Sequence, residues 1–427
     1  MQTGQVLTHV DASVDTGRAR RAALVLLTAL SALNHLDRQL IAIVLEPIRA
    51  EFALSDIQLG LLSGLAFAAL YTTLGIPASL WVVRHSRVGL VSLSAIVWGM
   101  MTALTGAAQS FAHLLLARVG VGIGEAGFLP ASHAIVSALY QTGKRATALA
   151  VVSAGVNVGI FLAFLVGGVV AQFYGWRTAF FLSGAVTVTT ALLFRFMVAE
   201  PEGDRAEPGS VAAGAMSTLS DTARRIFTDP VLRHVTLGAL LSSMVAYGAL
   251  TWLPSFLLRS HGFSLTGAGT YLALVIGIGG GLGTWAGGYY SDRLGARDIR
   301  WSLWLIALVL LATKPFTVGF FLVEASWLAL ILFLLPAMTS AIFVGPSIST
   351  LHERVPPMVR PVASAIFLFL TSFIGIGLSP IVVGALSQWV FASAGEESLR
   401  YALVVLQLLG VLGAVHFWLA GRALKAG

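Results

Sequence analysis

Long apolar runs separated by short polar or glycine-containing breaks fill most of the chain. The first covers about Ala22–Ile48. Others follow at roughly 57–83, 88–109, 113–139, 146–172 and 178–198. After a polar gap they resume at roughly 233–257, 266–290, 301–322, 327–348, 362–390 and 400–421. Each approaches the length of about 20 apolar residues that a membrane-crossing helix requires. The pattern predicts an all-α membrane protein with twelve transmembrane helices in two six-helix bundles, residues 22–198 and 233–427. Residues 1–21 are polar and end in Arg18, Arg20 and Arg21. The run that follows is long enough to span a bilayer, unlike the short core of a cleavable signal, so they read as a cytoplasmic tail. The connector, 199–232, opens on Glu200, Pro201, Glu202, Gly203, Asp204, Arg205, Glu207 and Pro208, a flexible linker. Within it, Leu219–Phe227 reads as a short interfacial helix.

Composition excludes a soluble protein. Of 427 residues, 57% are hydrophobic and 11% are Asp, Glu, Lys or Arg, whereas soluble domains carry about 25% charged residues. The 45 glycines suit helices packed closely in lipid. The absence of cysteine removes disulfides and thiolate chemistry. The net charge of +7 follows the membrane rather than nucleic acid. With the N-terminus inside, 19 of the 26 Lys and Arg residues fall on the cytoplasmic side, the positive-inside pattern. Both termini are therefore expected in the cytoplasm, and the molecule in an inner (plasma) membrane of bacterial type.

Ionisable side chains inside the spans are costly and mark candidate functional positions. Asp37 and Arg38 lie in the first span, with Asn34 and His35 one turn before them. Arg118 and Glu125 lie in the fourth, two turns apart on one face. Asp37 and Arg38 are separated by about 100° around their helix and cannot face the same partner. Two readings stand side by side. The four charges neutralise one another and lock spans one and four together, or the acids exchange protons while an arginine binds an anionic substrate. Glycines 120, 122, 124 and 127 leave the fourth span bare for close approach of another helix. Lys314, before Pro315, is expected to snorkel to the interface. His35 and His133 read as satisfied histidines, Tyr247 and Tyr271 as cavity-lining candidates, and Trp252 and Trp285 equally as cavity-lining or as interfacial belt residues. No spacing resembles a metal site, and no nucleophile–base pair suggests an enzyme.

Six plus six spans with a central connector resemble the major facilitator superfamily. The stretch Gly288-Tyr-Tyr-Ser-Asp292-Arg293-Leu-Gly295-Ala-Arg297 is similar to its G-x-x-x-D-R-x-G-x-R loop motif. That likeness implies a cytoplasmic gate formed by Gly288, Asp292, Arg293, Gly295 and Arg297. In the matching loop of the first half only Arg84 survives, and the fifth-span antiporter pattern is eroded. Within the superfamily the chain looks most like Spinster-type transporters. The likeness is carried by Asn34-His-Leu-Asp37-Arg38, Glu46-Pro47-Ile48, Leu59-Gly-Leu-Leu-Ser-Gly64, Arg118-Val-Gly-Val-Gly-Ile-Gly-Glu125-Ala-Gly127, Gly175-Trp176-Arg177 and Thr251-Trp252-Leu-Pro254. It implies proton coupling at Asp37 and Glu125, and binding of an acidic headgroup by Arg38 and Arg118. Asn34 and Tyr247 join these as candidate substrate contacts.

The expected function is proton-coupled secondary active transport of a small amphipathic or organic anion, lysolipid-like, with export favoured. No cofactor beyond the proton gradient is expected, nor a nucleic-acid partner, and the chain is expected to be a monomer in the lipid bilayer. The alternatives are an organic or aromatic acid permease of the same superfamily, which shares an Asp-Arg pair in span one, and a membrane sensor that binds without transporting.

Overall fold

Apolar runs of this length leave the backbone one way to satisfy its polar groups in lipid, the helix. The computed structural model describes residues 6–201 and 215–424, and among them every regular element is helical. The first half contains α1 (Val6–Ile43), the short α2 (Leu45–Phe52), α3 (Asp56–Ser63, resuming after Gly64 as Leu65–Arg84), α4 (Arg87–Gly106), α5 (Phe111–Leu139), α6 (Thr142–Tyr174) and α7 (Trp176–Met197). A connector helix, α8 (Ala215–Thr228), leads to the second half. That half contains α9 (Pro230–His261), α10 (Leu265–Gly295), α11 (Arg300–Leu322), α12 (Ser326–Arg354), α13 (Pro357–Val390) and α14 (Ala392–Ala423).

Eleven of these are long and apolar enough to cross a membrane. Outside that set are the short α2 and α8, and α1, whose apolar stretch is interrupted by Asn34, His35, Asp37, Arg38 and Gln39. Residues 6–21, expected as a tail, are helical and continuous with α1. Residues 202–214, most of the expected linker, lie outside the described residues, as does Lys425.

Prolines set two of the helix breaks. The first apolar run was expected to continue to Ile48, but α1 stops at Ile43 and α2 starts at Leu45. Pro47 cannot donate to the Ile43 carbonyl, and its ring collides with it. Inside α5 the helix is interrupted between Glu125 and Phe128, four residues before and within reach of Pro130.

The apolar cores define the architecture. At the end carrying Leu45, Leu54, Trp252 and Leu399, one continuous buried core draws on both halves. Toward the connector it divides into two: one of α1, α4, α5 and α7 residues around Trp98, the other of α9, α11 and α14 residues around Phe417. The halves are thus joined at the far end and separate toward the connector.

Glycine makes the far-end seam. A Cβ built on Gly168 of α6 would stand 2.8 Å from the Leu265 carbonyl of α10, and one on Gly269 would overlap the Phe164 carbonyl. Gly60 and Gly64 of α3 bring its backbone equally close to Pro380 and Gly377 of α13.

At the connector end, the Glu200 carboxylate accepts from the Ser86 hydroxyl (2.6 Å) and from the Arg87 and Val88 amides (2.8 and 3.0 Å), capping α4. Burial alone would raise this carboxyl, but those donors and the Arg87 charge outweigh it and hold the group below the usual Glu range. Glu200→Ala is expected to lower stability by about 1 kcal/mol, as loss of a cap does. The penalty is full above the ordinary Glu value and fades as pH falls through the lowered one. Thermal unfolding of the solubilised protein against pH measures both.

Candidate functional site

The 100° turn between neighbours on α1 sends Asp37 and Arg38 to different surroundings. Asp37 is fully buried inside the first half. Its Oδ1 accepts from Ser183 Oγ of α7 and its Oδ2 from Thr102 Oγ1 of α4 (3.2 Å). Arg38 faces α5 and α3. Its Nε donates to Glu125 Oε2 at 2.6 Å, and its guanidinium carbon lies 4.2 Å from the Tyr71 ring centre and 4.9 Å from that of Phe67. Arg118 is 2% exposed, lies 5.5 Å from the same Phe67 ring, and donates through Nη1 to the Asp37 carbonyl at 3.4 Å. The four charges occupy one region of the first half, with Arg118 touching the Asp37 backbone and Arg38 holding Glu125.

Local sequence explains how tightly this region is packed. Gly122 and Gly124, between Arg118 and Glu125, let the Phe67 carbonyl of α3 and the Trp98 amide of α4 press against α5. Any Cβ at either glycine would overlap those backbones. Burial is therefore nearly complete, and it leaves polar atoms without protein partners: Glu125 Oε1, Arg118 Nε and Asn34 Nδ2. Asn34 lies beside Glu125 without completing a hydrogen bond. Buried atoms of this kind are rare in proteins and mark places where water or a ligand supplies the missing bond.

These residues border the space between the halves. A small cavity of about 110 Å³ is lined by His35, Arg38, Phe67, Arg118, Ile160 and Tyr247, among others. Tyr247 belongs to the second half, so the pocket is closed by both. Val156, Ile160, Tyr247 and Leu250 also line a neighbouring cavity of about 960 Å³, which runs toward the connector end between Ala150 of α6, Thr284 of α10 and Val344 of α12. A space of that size holds a drug-sized molecule. His35 is satisfied locally, with Nδ1 3.2 Å from the Ser31 carbonyl.

The structure corrects three readings. Lys314 does not snorkel: Pro315 is accommodated inside α11, and the ammonium turns inward to donate to Gln407 Oε1 at 3.0 Å on the wall of the large cavity. Trp252 is fully buried and donates to the Pro380 carbonyl (3.0 Å), so it is no belt residue. Tyr271 spends its hydroxyl on the Leu330 carbonyl (2.6 Å) within the second half. Trp285, by contrast, is 71% exposed and borders the large cavity beside Thr284.

The loop motif residues Gly288, Asp292, Arg293 and Gly295 end α10, with Arg297 just beyond. Arg293 donates to the Tyr289 hydroxyl of its own helix (3.0 Å), and nothing crowds a Cβ at Gly288. The ion pair of this turn is Asp298–Arg300, at 2.6 Å. The Arg84 side chain lies outside those described.

One constellation had no sequence signal. At the far end Arg259 of α9 grips Asp56 of α3 with both terminal nitrogens (3.0 and 2.8 Å) and reaches Glu46 of α2 through Nε (2.9 Å). Ser387 of α13 adds a bond to Asp56 (2.6 Å). This network ties the two halves together.

Two helical halves joined at one end, enclosing buried charges and a cavity between them, define a multi-pass integral membrane transporter. The sequence profile of the Major Facilitator Superfamily matches residues 27–380, and the chain belongs to that family. It is 35% identical over 419 residues to an MFS-type efflux pump of Mycolicibacterium smegmatis, covering 96% of each chain. It is 27% identical to the cis,cis-muconate transport protein of Acinetobacter baylyi, over 61% of this chain and 63% of that one. Among solved structures, a bacterial homologue of the human lysosomal transporter Spinster, in an inward-facing and unoccupied conformation, superposes with a TM-score of 0.84. It shares 29% identity, over 95% of this chain and 97% of that one.

Proposed function

We propose that the chain is a proton-coupled secondary active transporter that exports an amphipathic or organic anion by alternating access. It would use twelve spans, α1 included, with both termini in the cytoplasm of a bacterial-type plasma membrane. The observation that carries this reading is the buried Arg38–Glu125 pair, set with Arg118 against a cavity closed by Tyr247 from the opposite half. An acid bonded to an arginine in a buried site is in balance: an anion arriving at Arg38 competes with Glu125 for it, and a carboxylate released from its cation takes up a proton more readily. Proton and anion then occupy the site in alternation. Asp37, held by Ser183 and Thr102 one residue away, is the second proton-carrying group, and Asn34 and Tyr247 contact substrate. With the far end tied by Arg259 and the cavity directed toward the connector, the conformation described is the one open to the cytoplasm, in which an exporter loads its cargo.

A second reading, an organic acid permease, gains support from the muconate transporter among the relatives. Counterflow of labelled anions in proteoliposomes, with lysolipids and short dicarboxylates as separate arms, tests both. A lysolipid preference supports the first reading and a dicarboxylate preference the second. Arg38→Ala is expected to weaken the preferred anion by about 10- to 100-fold, the worth of one charged hydrogen bond. An unchanged concentration dependence would count against anion binding at Arg38.

A further inference from the structure

The wall of the large cavity is mostly apolar, and Lys314 is the one Asp, Glu, Lys or Arg among its lining residues. Its Nζ meets a neutral partner, Gln407 Oε1 at 3.0 Å, and among the described residues no carboxylate pairs with it. An ammonium carries three donors, and one acceptor is accounted for. The packing around it is shaped to hold the group inward. Gly410 of α14 lies directly beneath the ammonium, where any Cβ would overlap Nζ. One turn along, a Cβ on Gly413 would stand 3.0 Å from Ser242 Oγ of α9. Ser242 is 4% exposed, lines the same cavity, and its hydroxyl has no partner. Gln407, 3% exposed, is itself fixed by its Nε2 bond to the Leu403 carbonyl (3.2 Å).

An unpaired cation on an apolar wall is expensive, and a lysine in a span normally reaches for the interface instead. Here the side chain is turned away from the interface into a chamber with room for a ligand. We propose that Lys314 is the anion-binding residue of a second subsite, in the C-terminal half, that takes the carboxylate of an amphipathic substrate. Ser242 donates to the same carboxylate and Gln407 positions the ammonium. One ammonium with a neutral hydroxyl balances a single negative charge, which favours a carboxylate over a phosphate monoester of nearly twice that charge. The hydrocarbon body lies on Leu253, Ile276, Phe321 and Phe333, which line the same chamber. This subsite rests on the transport reading above, but not on Arg38 or on proton coupling.

The test compares two probes of one shape, 4-butylbenzoate and neutral 4-butylbenzamide, binding to the purified full-length protein in lipid nanodiscs. Wild type is expected to prefer the benzoate. Lys314→Met is expected to weaken benzoate about 10- to 100-fold and leave benzamide unchanged, since a charge-assisted bond is lost. Lys314→Arg retains most of the benzoate affinity, and Gly410→Ala, which displaces the ammonium without removing it, loses part. Equal binding of both probes by wild type and Lys314→Met overturns the subsite, and so does an equal loss of both, which would make Lys314 a structural residue only. Arg38→Ala in the same assay separates the two ideas. If it weakens benzoate while Lys314→Met does not, the subsite fails and the anion reading stands. If wild type shows no preference for benzoate, both fail.

Discussion

Glu125→Gln reduces substrate flux driven by an imposed pH gradient to that of protein-free vesicles, while exchange of labelled for unlabelled substrate continues. The expectation follows from where the carboxylate sits. Glu125 is fully buried, bonded to Arg38 at 2.6 Å through one oxygen, and its other oxygen has no protein partner. The amide preserves shape and still accepts from Arg38, but it carries no titratable proton, so a proton gradient has nothing to act on at this position. Exchange returns the transporter to its starting protonation state and needs no net proton movement. The change also leaves Arg38 buried without its counter-ion, and breaking such a pair costs about 3–5 kcal/mol. Exchange activity is therefore the control for folding. Asp37→Asn gives the same split without removing an ion pair, because Asp37 is held by two hydroxyls rather than by a cation. Gradient-driven flux surviving in both variants would falsify the coupling assignment.

Arg259→Ala is expected to release the far end. Bidentate contact of Arg259 with Asp56, plus the bond to Glu46, crosses from one half to the other, and the side chains of Arg259 and Asp56 are each 9% exposed. Cutting it abandons a nearly buried carboxylate in this conformation only, since opening lets Asp56 reach water. A differential cost of about 3 kcal/mol moves a two-state equilibrium by roughly two orders of magnitude. Because the chain has no cysteine, one introduced at Ala42, buried on the wall of the small cavity, reports opening directly. Its labelling by a membrane-impermeant maleimide from the far side should rise steeply in Arg259→Ala. Arg259→Lys, which keeps charge but loses the fork, falls between. Unchanged labelling would mean that the apolar seam alone holds this end shut.

The helices and the buried charges were both legible from sequence, for one reason: each is a departure from what lipid tolerates. Long apolar runs stand out against polar loops, and Asp37, Arg38, Arg118 and Glu125 stand out against apolar runs. What periodicity withheld was direction. In a span apolar on all sides, nothing in the pattern says which face meets lipid, so Lys314 beside Pro315 read as an outward side chain when α11 turns it inward to Gln407. Trp252 failed in the same way, its ring buried and its indole bonded to Pro380. The partners of Asp37 were invisible because serine and threonine are common in spans, and nothing distinguished Ser183 and Thr102 from others that bond their own helix, such as Thr105 and Ser132. The Arg259 cluster joins residues more than 200 positions apart, a distance over which spacing says nothing.

The two fastenings at the far end differ in kind. The glycine seams of α6 with α10 and α3 with α13 are neutral backbone contacts whose attraction is dispersion, indifferent to ionic strength. The Arg259 cluster is electrostatic and nearly buried, so dissolved ions reach its charges mainly once this end has opened. Salt should therefore tune how often this end opens without altering how tightly it shuts along the seam.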